Sequence, residues 1–101
     1  MSGLEPFRSR LDALDEEIIR LLGARFEVCR EIALYKRTHG IPMMQPERLA
    51  YVRARYLARG DELRLPADFT LALFDSLIDA TCKMEDDLID STPAAAAGRQ
   101  P

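Results

Sequence analysis

The sequence is poor in the residues from which metal centres and nucleophilic active sites are built. Its 101 residues include one histidine, two cysteines and no tryptophan. Cys29 and Cys82 form no C-x-x-C or histidine spacing, and His39 is remote from both, which excludes the usual zinc sites and Cys/His or Ser/His/Asp catalysis. We therefore expect no metal and no cofactor, two reduced thiols in the core, and a histidine that complements a helix dipole.

The chain also lacks the signals of secretion, membrane insertion and nucleic-acid binding. No apolar run approaches eighteen residues, and no basic segment followed by an apolar stretch opens the sequence. The net charge is -3 and the arginines are scattered among acids, which excludes nucleic acid as the main partner. No β pattern, internal repeat or glycine-rich phosphate loop occurs. From these absences we expect a cytoplasmic helical protein.

The apolar periodicity predicts an all-α chain of three helices. The first ends at His39, because Gly40 supplies a left-handed cap and Pro42 blocks continuation. Residues 91–101 have too little apolar bulk to fold, so we expect one domain over residues 1–90 and a disordered tail. The predicted helices are Pro6–His39, Pro46–Gly60 and a third from Pro66 or Ala67 to Asp90.

The first predicted helix has an apolar seam that one arginine interrupts. The seam residues, spaced alternately by four and three, are Phe7, Leu11, Leu14, Ile18, Leu21, Val28, Ile32 and Tyr35. Arg25 falls in this seam, where an unpaired charge in a helix–helix interface costs several kcal/mol. Lys36 follows eleven residues later, within about 20° of the same face and about 16 Å along the axis. Together the two cations are placed to bracket a small dianion.

The first helix is too long for a monomer of this size. It spans roughly 50 Å, whereas a compact chain of 101 residues is only about 33 Å across. Since nearly half of the residues are apolar, the overhang predicts an intertwined homodimer. Arg8 lies about 25 Å from Arg25 on a straight helix, so it reaches a shared site only from a second chain.

The third predicted helix places a carboxylate beside its apolar stripe. The stripe comprises Phe69, Leu73, Leu77, Ala80, Met84 and Leu88, widened by Phe74, Ile78 and Thr81. Glu85 continues this side, either as a site residue or as a surface glutamate. Inward cations with one carboxylate suit an intramolecular rearrangement assisted by positioning and preorganised charge. A non-catalytic dimerisation module, in which Arg25 pairs with Glu85, fits the same pattern, and the residues alone leave both interpretations open.

Residues 7–25, FRSRLDALDEEIIRLLGAR, resemble the opening helix of the all-helical chorismate mutases. The likeness includes the pattern L-D-x-x-I-x-x-L-L-x-x-R, continues through Lys36 to PERL at residues 46–49, and covers residues 4–90. It implies a three-helix protomer whose long first helices intertwine in a homodimer with two active sites. It also implies a cofactor-free isomerase that catalyses the Claisen rearrangement of a chorismate-like dicarboxylate.

The resemblance also implies a role for each matching residue. Arg25 corresponds to the arginine that grips one substrate carboxylate, and Arg8 to the arginine that reaches the other from the partner chain. Lys36 corresponds to the lysine that stabilises the ether oxygen, and Glu85 to a residue that hydrogen-bonds this oxygen from the opposite side. A glutamate donates that bond only when protonated, which apolar neighbours favour. The remaining matches are Arg48, beside the ring and carboxylate, and Thr81, at a position often held by a small hydroxyl residue.

One position departs from the family pattern. Leu49 stands where chorismate mutases commonly place a glutamate that holds the C4 hydroxyl, and a buried hydroxyl without a partner costs about 1–3 kcal/mol. The segment GIPMMQPERL at residues 40–49 is more similar to the 4-amino-4-deoxychorismate mutases of antibiotic pathways. The expected reaction is therefore 4-amino-4-deoxychorismate to 4-amino-4-deoxyprephenate, with chorismate mutase and then isochorismate pyruvate lyase as alternatives. An acceptor for the amino group would come from the loop backbone near Met44 and Gln45 or from Glu85.

Overall fold

A computed structural model describes residues 3–42 and 45–91, and these residues form three α-helices and no strand. This confirms the expected all-α class and the number of helices. Proline occupies the first turn of the first two helices, where a missing backbone N–H costs nothing. The helices are α1 (Glu5–His39), α2 (Pro46–Glu62) and α3 (Ala67–Ser91).

The end of α1 follows the prediction. Gly40 has φ 65°, and its backbone N–H donates to the Lys36 carbonyl, which satisfies one of the last carbonyls of the helix. His39 Nδ1 donates to the Tyr35 carbonyl at 2.9 Å, and the two rings stack with centroids 3.9 Å apart. The 35 residues of α1 give a helix of about 52 Å. The protomer is correspondingly elongated, with extents of 67 × 29 × 16 Å.

The core lies where α3 packs against the C-terminal half of α1 and against α2. Ala33 of α1 and Phe74 and Leu77 of α3 are buried. Tyr56 of α2 meets Phe74 edge to face, with ring centroids 5.2 Å apart. These contacts do not extend to the N-terminal half of α1, where every described residue from Gly3 to Leu21 is exposed.

The predicted end of α2 was wrong, because Gly60 does not terminate the helix. The helix continues to Glu62, and Arg64, with φ 63°, takes the left-handed conformation instead. Gly60 is buried against α3, where an added Cβ would lie 2.8 Å from Thr70 Oγ1. The glycine is therefore required for close helix packing rather than for a helix cap.

The predicted inward face of α3 was only partly correct. Phe69 is 53% exposed and Leu73 is also exposed, although both belong to the predicted stripe. Leu77 of the stripe is buried together with Phe74 and Thr81, which were predicted to widen it, and the other buried positions are the polar residues Thr70 and Glu85. The helix therefore turns a partly polar side inward, as expected if that side lines a site rather than a dry core.

The apolar seam of α1 is exposed in the protomer. Its eight residues are between 42% and 59% exposed. A continuous apolar stripe of this length is typical of an interaction surface. Arg25, which belongs to the same seam, and Lys36 are half-buried instead, and both contact α3.

The two cysteines are free thiols, as expected. They are half-buried rather than in the core. The predicted tail was residues 91–101, but Ser91 is the last residue of α3, and the rest of the tail lies outside the described residues, as does Met44. No helix among the described residues is long and apolar enough to cross a membrane.

Candidate active site

The three helices line an open cavity of about 340 Å³, which we call the inner cavity. It is formed by the C-terminal half of α1, the start of α2 and the C-terminal half of α3. Every predicted site residue except Arg8 lines it. The lining residues are Arg25, Ile32, Lys36, Gln45, Arg48, Leu49, Val52, Tyr56, Ile78, Thr81, Cys82 and Glu85.

Arg25 is directed from α1 toward α3. Its Nη1 donates to Thr81 Oγ1 at 3.4 Å and lies 3.9 Å from the sulfur of Cys29. Both contacts are long and involve weak or neutral acceptors, and no ion pair to Arg25 occurs among the described residues. The guanidinium is therefore oriented but not neutralised, which suits a group that binds a carboxylate.

Lys36 and Glu85 face each other across the cavity from α1 and α3. Lys36 Nζ lies 3.6 Å from Glu85 Oε1, and the side chains are only 16% and 8% exposed. Glu85 Oε1 accepts no hydrogen bond from the part of the chain that the structure describes, because this distance is slightly too long. The pair is thus buried and electrostatically matched, yet loose enough for a polar atom to bind between or beside the two groups.

The wall formed by α2 combines a cation with an apolar side chain. Arg48 is exposed, and its guanidinium carbon lies 5.3 Å from the centroid of the Tyr51 ring. Leu49 follows it and is half-buried in the cavity wall. Gln45 precedes α2, and its Nε2 donates to the Pro42 carbonyl at 3.0 Å, which leaves the amide oxygen as the group available for accepting a hydrogen bond.

Arg8 is the one predicted site residue that does not reach this cavity. It is exposed on α1, about 25 Å along the helix from Arg25. The expectation that it does not serve the site of its own chain agrees with this position. Its contribution from a second chain stays a prediction.

Cys82 is a wall residue that the sequence did not indicate as part of a site. Burial raises the pKa of its thiol, and the negative charges of Glu85, Asp86 and Asp79 raise it further. The thiol is therefore protonated at neutral pH and acts as a small apolar surface rather than a nucleophile. Ile78 lies three residues before Thr81, and Cys82 lies three residues before Glu85. This helical spacing is the sequence signal that could have placed both residues in the cavity wall.

Comparison with known proteins identifies the family. The chorismate mutase type II family model matches residues 7–86. The chain belongs to this family. No solved structure matches the chain.

Three relatives of the chain are named as mutases. A Streptomyces pristinaespiralis protein named 4-amino-4-deoxychorismate mutase is 38% identical over 88 residues, covering 87% of this chain and 68% of the relative. A Streptomyces venezuelae protein of the same name is 33% identical over 97 residues, covering 96% and 94%. The chorismate mutase of Methanocaldococcus jannaschii is 25% identical over 89 residues, covering 88% and 90%.

Membership of the type II chorismate mutase family decides between the two interpretations of the inward cations. The chain is an isomerase, and the non-catalytic module is excluded. A Claisen rearrangement of a chorismate-like substrate makes and breaks bonds within one molecule, so the enzyme has to fold the substrate and stabilise the migrating charge. The inner cavity contains cations for this task, and no group of His, Cys, Asp and Glu able to hold a metal occurs among the described residues.

Proposed function

We propose that this chorismate mutase family member converts 4-amino-4-deoxychorismate into 4-amino-4-deoxyprephenate. The observation that supports the substrate is Leu49, an apolar side chain in the cavity wall where the family pattern has a glutamate for the C4 hydroxyl. Leucine leaves that hydroxyl without a partner. The similarity to two Streptomyces proteins named 4-amino-4-deoxychorismate mutase favours the same substrate.

The proposed roles follow from where the cavity groups point. Arg25 binds one substrate carboxylate, as its guanidinium is oriented without being neutralised. Lys36 donates to the ether oxygen as the C–O bond breaks and the new C–C bond forms, so negative charge on that oxygen is compensated without a proton leaving the substrate. Arg48 contacts the ring side of the substrate, and Thr81 positions Arg25 through the 3.4 Å hydrogen bond.

Glu85 is proposed to contact the same ether oxygen from the α3 side. Its carboxyl lies 3.6 Å from Lys36 Nζ, so one oxygen atom of the substrate is able to approach both groups. A carboxyl donates a hydrogen bond only while it holds a proton.

The amino group of the substrate needs an acceptor that Leu49 does not supply. The oxygen of the Gln45 amide is available for this, since Gln45 Nε2 is held by the Pro42 carbonyl. Gln45 lies one helical turn before Leu49 and lines the same cavity. This assigns the acceptor to the Gln45 side chain rather than to the loop backbone.

The second carboxylate of the substrate is proposed to bind Arg8 of another copy of the chain. The exposed seam of α1 borders the inner cavity through Ile32, so a second α1 packed on the seam would cover the cavity. An antiparallel pair of α1 helices brings the start of one beside the C-terminal half of the other, which is where Arg25 and Lys36 lie. The functional unit is therefore an intertwined homodimer with two composite sites.

The substrate assignment is tested by measuring kcat/KM for 4-amino-4-deoxychorismate and chorismate under one set of conditions. The amino substrate should be used better, because the C4 hydroxyl of chorismate lacks the carboxylate acceptor that the family pattern provides at position 49 and the two Streptomyces relatives are named for the amino substrate. Leu49→Glu should raise kcat/KM for chorismate by at most about two orders of magnitude, and Leu49→Met, which keeps the wall apolar, should not. Equal or better use of chorismate by the unmodified enzyme would make it an ordinary chorismate mutase, and pyruvate release from isochorismate would indicate the lyase.

A further inference from the structure

A second cavity lies at the other end of α2, outside the proposed catalytic site. Its volume is about 360 Å³, and it is bounded by α2, the turn at residues 63–65 and the start of α3. We call it the outer cavity. Its floor is apolar and consists of Val52, Leu63, Leu65 and Leu73.

The outer cavity has cations along one rim. Arg48, Arg55 and Arg59 follow one another by seven and four residues, which places them on the same face of α2. Arg59 is neutralised by Glu62, whose Oε2 lies 2.7 Å from Arg59 Nη1. Arg48 and Arg55 have no ion pair within the described ranges of the chain, and their guanidinium carbons lie 5.3 and 5.9 Å from the centroid of the Tyr51 ring between them.

We propose that the outer cavity binds a small amphipathic carboxylate. An apolar floor of this size accommodates one six-membered ring with a short chain, and two unpaired guanidinium groups at its rim favour an anion at the end of that chain. The apolar part of such a ligand packs on Leu63, Leu65 and Leu73. Its carboxylate binds Arg55, with Arg48 as the second cation.

The two cavities share a wall, so the outer site is coupled to catalysis. Arg48, Val52 and Tyr56 line both cavities. A carboxylate in the outer cavity draws the Arg48 guanidinium away from the inner cavity and thereby weakens substrate binding. Because coupling between two binding sites is reciprocal, a ligand in the inner cavity weakens the outer one by the same factor.

The probe for this site is 3-phenylpropanoate, titrated calorimetrically into the whole chain. We expect saturable binding with a Kd of about 1 mM, typical of a ligand of this size. Both 3-phenylpropanamide, which lacks the charge, and propanoate, which lacks the ring, should bind at least about tenfold more weakly. If 3-phenylpropanoate showed no saturable binding, the proposal would be overturned. This is the result expected if a second copy of the chain fills the outer cavity.

Charge reversal on α2 provides a matched pair of variants. Arg55→Glu should weaken 3-phenylpropanoate binding by at least about tenfold, because it places a carboxylate at the rim. Arg53→Glu makes the same change of net charge on the same helix but lies about 160° away, and it should leave the Kd unchanged. If the two variants weakened 3-phenylpropanoate binding equally, the probe would be attracted by the net charge of the protein rather than bound at the outer cavity. That result would overturn the proposal.

The last measurement distinguishes the outer cavity from the inner one. The titration is repeated with saturating amounts of a bicyclic dicarboxylate that mimics the transition state. Binding at the outer site predicts a Kd for 3-phenylpropanoate that rises by a fixed factor and then stays constant as more mimic is added. A Kd that keeps rising in proportion to the mimic would place the probe in the inner cavity and overturn the proposal. Failure of the mimic itself to bind would count against the proposed function instead.

Discussion

Lys36 is a residue whose substitution should affect both activity and stability. Its ammonium lies 3.6 Å from a carboxyl oxygen of Glu85, so it faces a structural partner as well as the substrate. Lys36→Ala should therefore abolish activity and also lower the free energy of unfolding by about 1–3 kcal/mol, since it leaves a buried carboxyl without its cation. Urea unfolding of the two proteins measures the difference.

A double-mutant cycle separates these two roles of Lys36. Glu85→Gln in the Lys36→Ala background should recover most of the lost stability, because an amide has no charge to compensate. Arg30→Ala is the control, since its ion pair with Glu27 is exposed and its loss should cost at most about 0.5 kcal/mol. If Lys36→Ala were as stable as the unmodified protein, the pair would have no structural role.

The cavity thiol gives a prediction about pH. Burial and the neighbouring carboxylates raise the pKa of Cys82, so at any pH near 8 a smaller fraction is thiolate than for a free cysteine. In a Cys29→Ser variant, alkylation of Cys82 by iodoacetamide should be slower than that of a free thiol, and its rate should rise over a higher pH range. The transition-state mimic should slow the reaction further.

The complementary variant controls for protection by the mimic. Cys82→Ser leaves Cys29, which is half-buried on α1 but does not line the inner cavity. The mimic should affect its alkylation much less. Equal protection of both thiols would indicate a change of the whole fold rather than occupation of the cavity.

At the residue scale, the sequence pattern identified the cations of the inner cavity, but it left the role of the carboxylate Glu85 open. Arg25 was predicted from its place in an apolar seam and Lys36 from the eleven-residue spacing, both of which are local. Whether Glu85 was a surface or a site residue depended on how α3 is rotated against α1, which no local pattern determines. Leu49 was recognised only because the resemblance supplied an expected residue to compare with it.

At the scale of the helices, the termini were predictable where a single residue determines the backbone. Gly40 and Pro42 marked the end of α1 because each restricts conformation on its own. Gly60 was misread because close helix packing also requires glycine, and that reason is visible only when α3 is in place. The inward face of α3 was only partly predicted, because Thr70 is buried although threonine does not contribute to an apolar pattern, whereas the apolar Phe69 and Leu73 are exposed.

The contact between Gly60 and Thr70 is testable by substitution. Gly60→Ala should destabilise the fold by about 1–3 kcal/mol, because its Cβ would lie 2.8 Å from Thr70 Oγ1 and 3.1 Å from Cγ2. Adding Thr70→Ala should restore much of this, since only a 3.5 Å contact with the Thr70 Cβ then remains. Thermal unfolding of the single and double variants measures the recovery.

Gly23 provides the matched control for that substitution. It also lies inside a helix, but an added Cβ there would have no neighbouring atom within 4 Å. Gly23→Ala should therefore stabilise the protein by up to about 1 kcal/mol, through the higher helix propensity of alanine. Stabilisation by both alanines would show that α2 and α3 are not in close contact at Gly60.

At the scale of the whole molecule, the length of α1 and its exposed seam indicate that a single chain neither covers the seam nor brings Arg8 to the inner cavity. The seam residues stay exposed in the protomer, and Arg8 lies on the part of α1 that packs on no other described element. In the proposed homodimer, the second copy covers the seam and brings Arg8 to the inner cavity. Light scattering of the purified protein should accordingly give twice the chain mass of 11.4 kDa.

Complementation between inactive variants tests whether the site is shared. Arg8→Ala and Arg25→Ala homodimers should each be inactive, but a mixed dimer rebuilds one complete site from Arg25 of one chain and Arg8 of the other. Isolated mixed dimers should therefore show about half of the activity of the unmodified dimer. Mixed dimers of Arg25→Ala with Lys36→Ala are the control and should stay inactive, because both residues belong to the same chain's half of each site. Failure of the first pair to recover activity would show that Arg8 does not act across the interface.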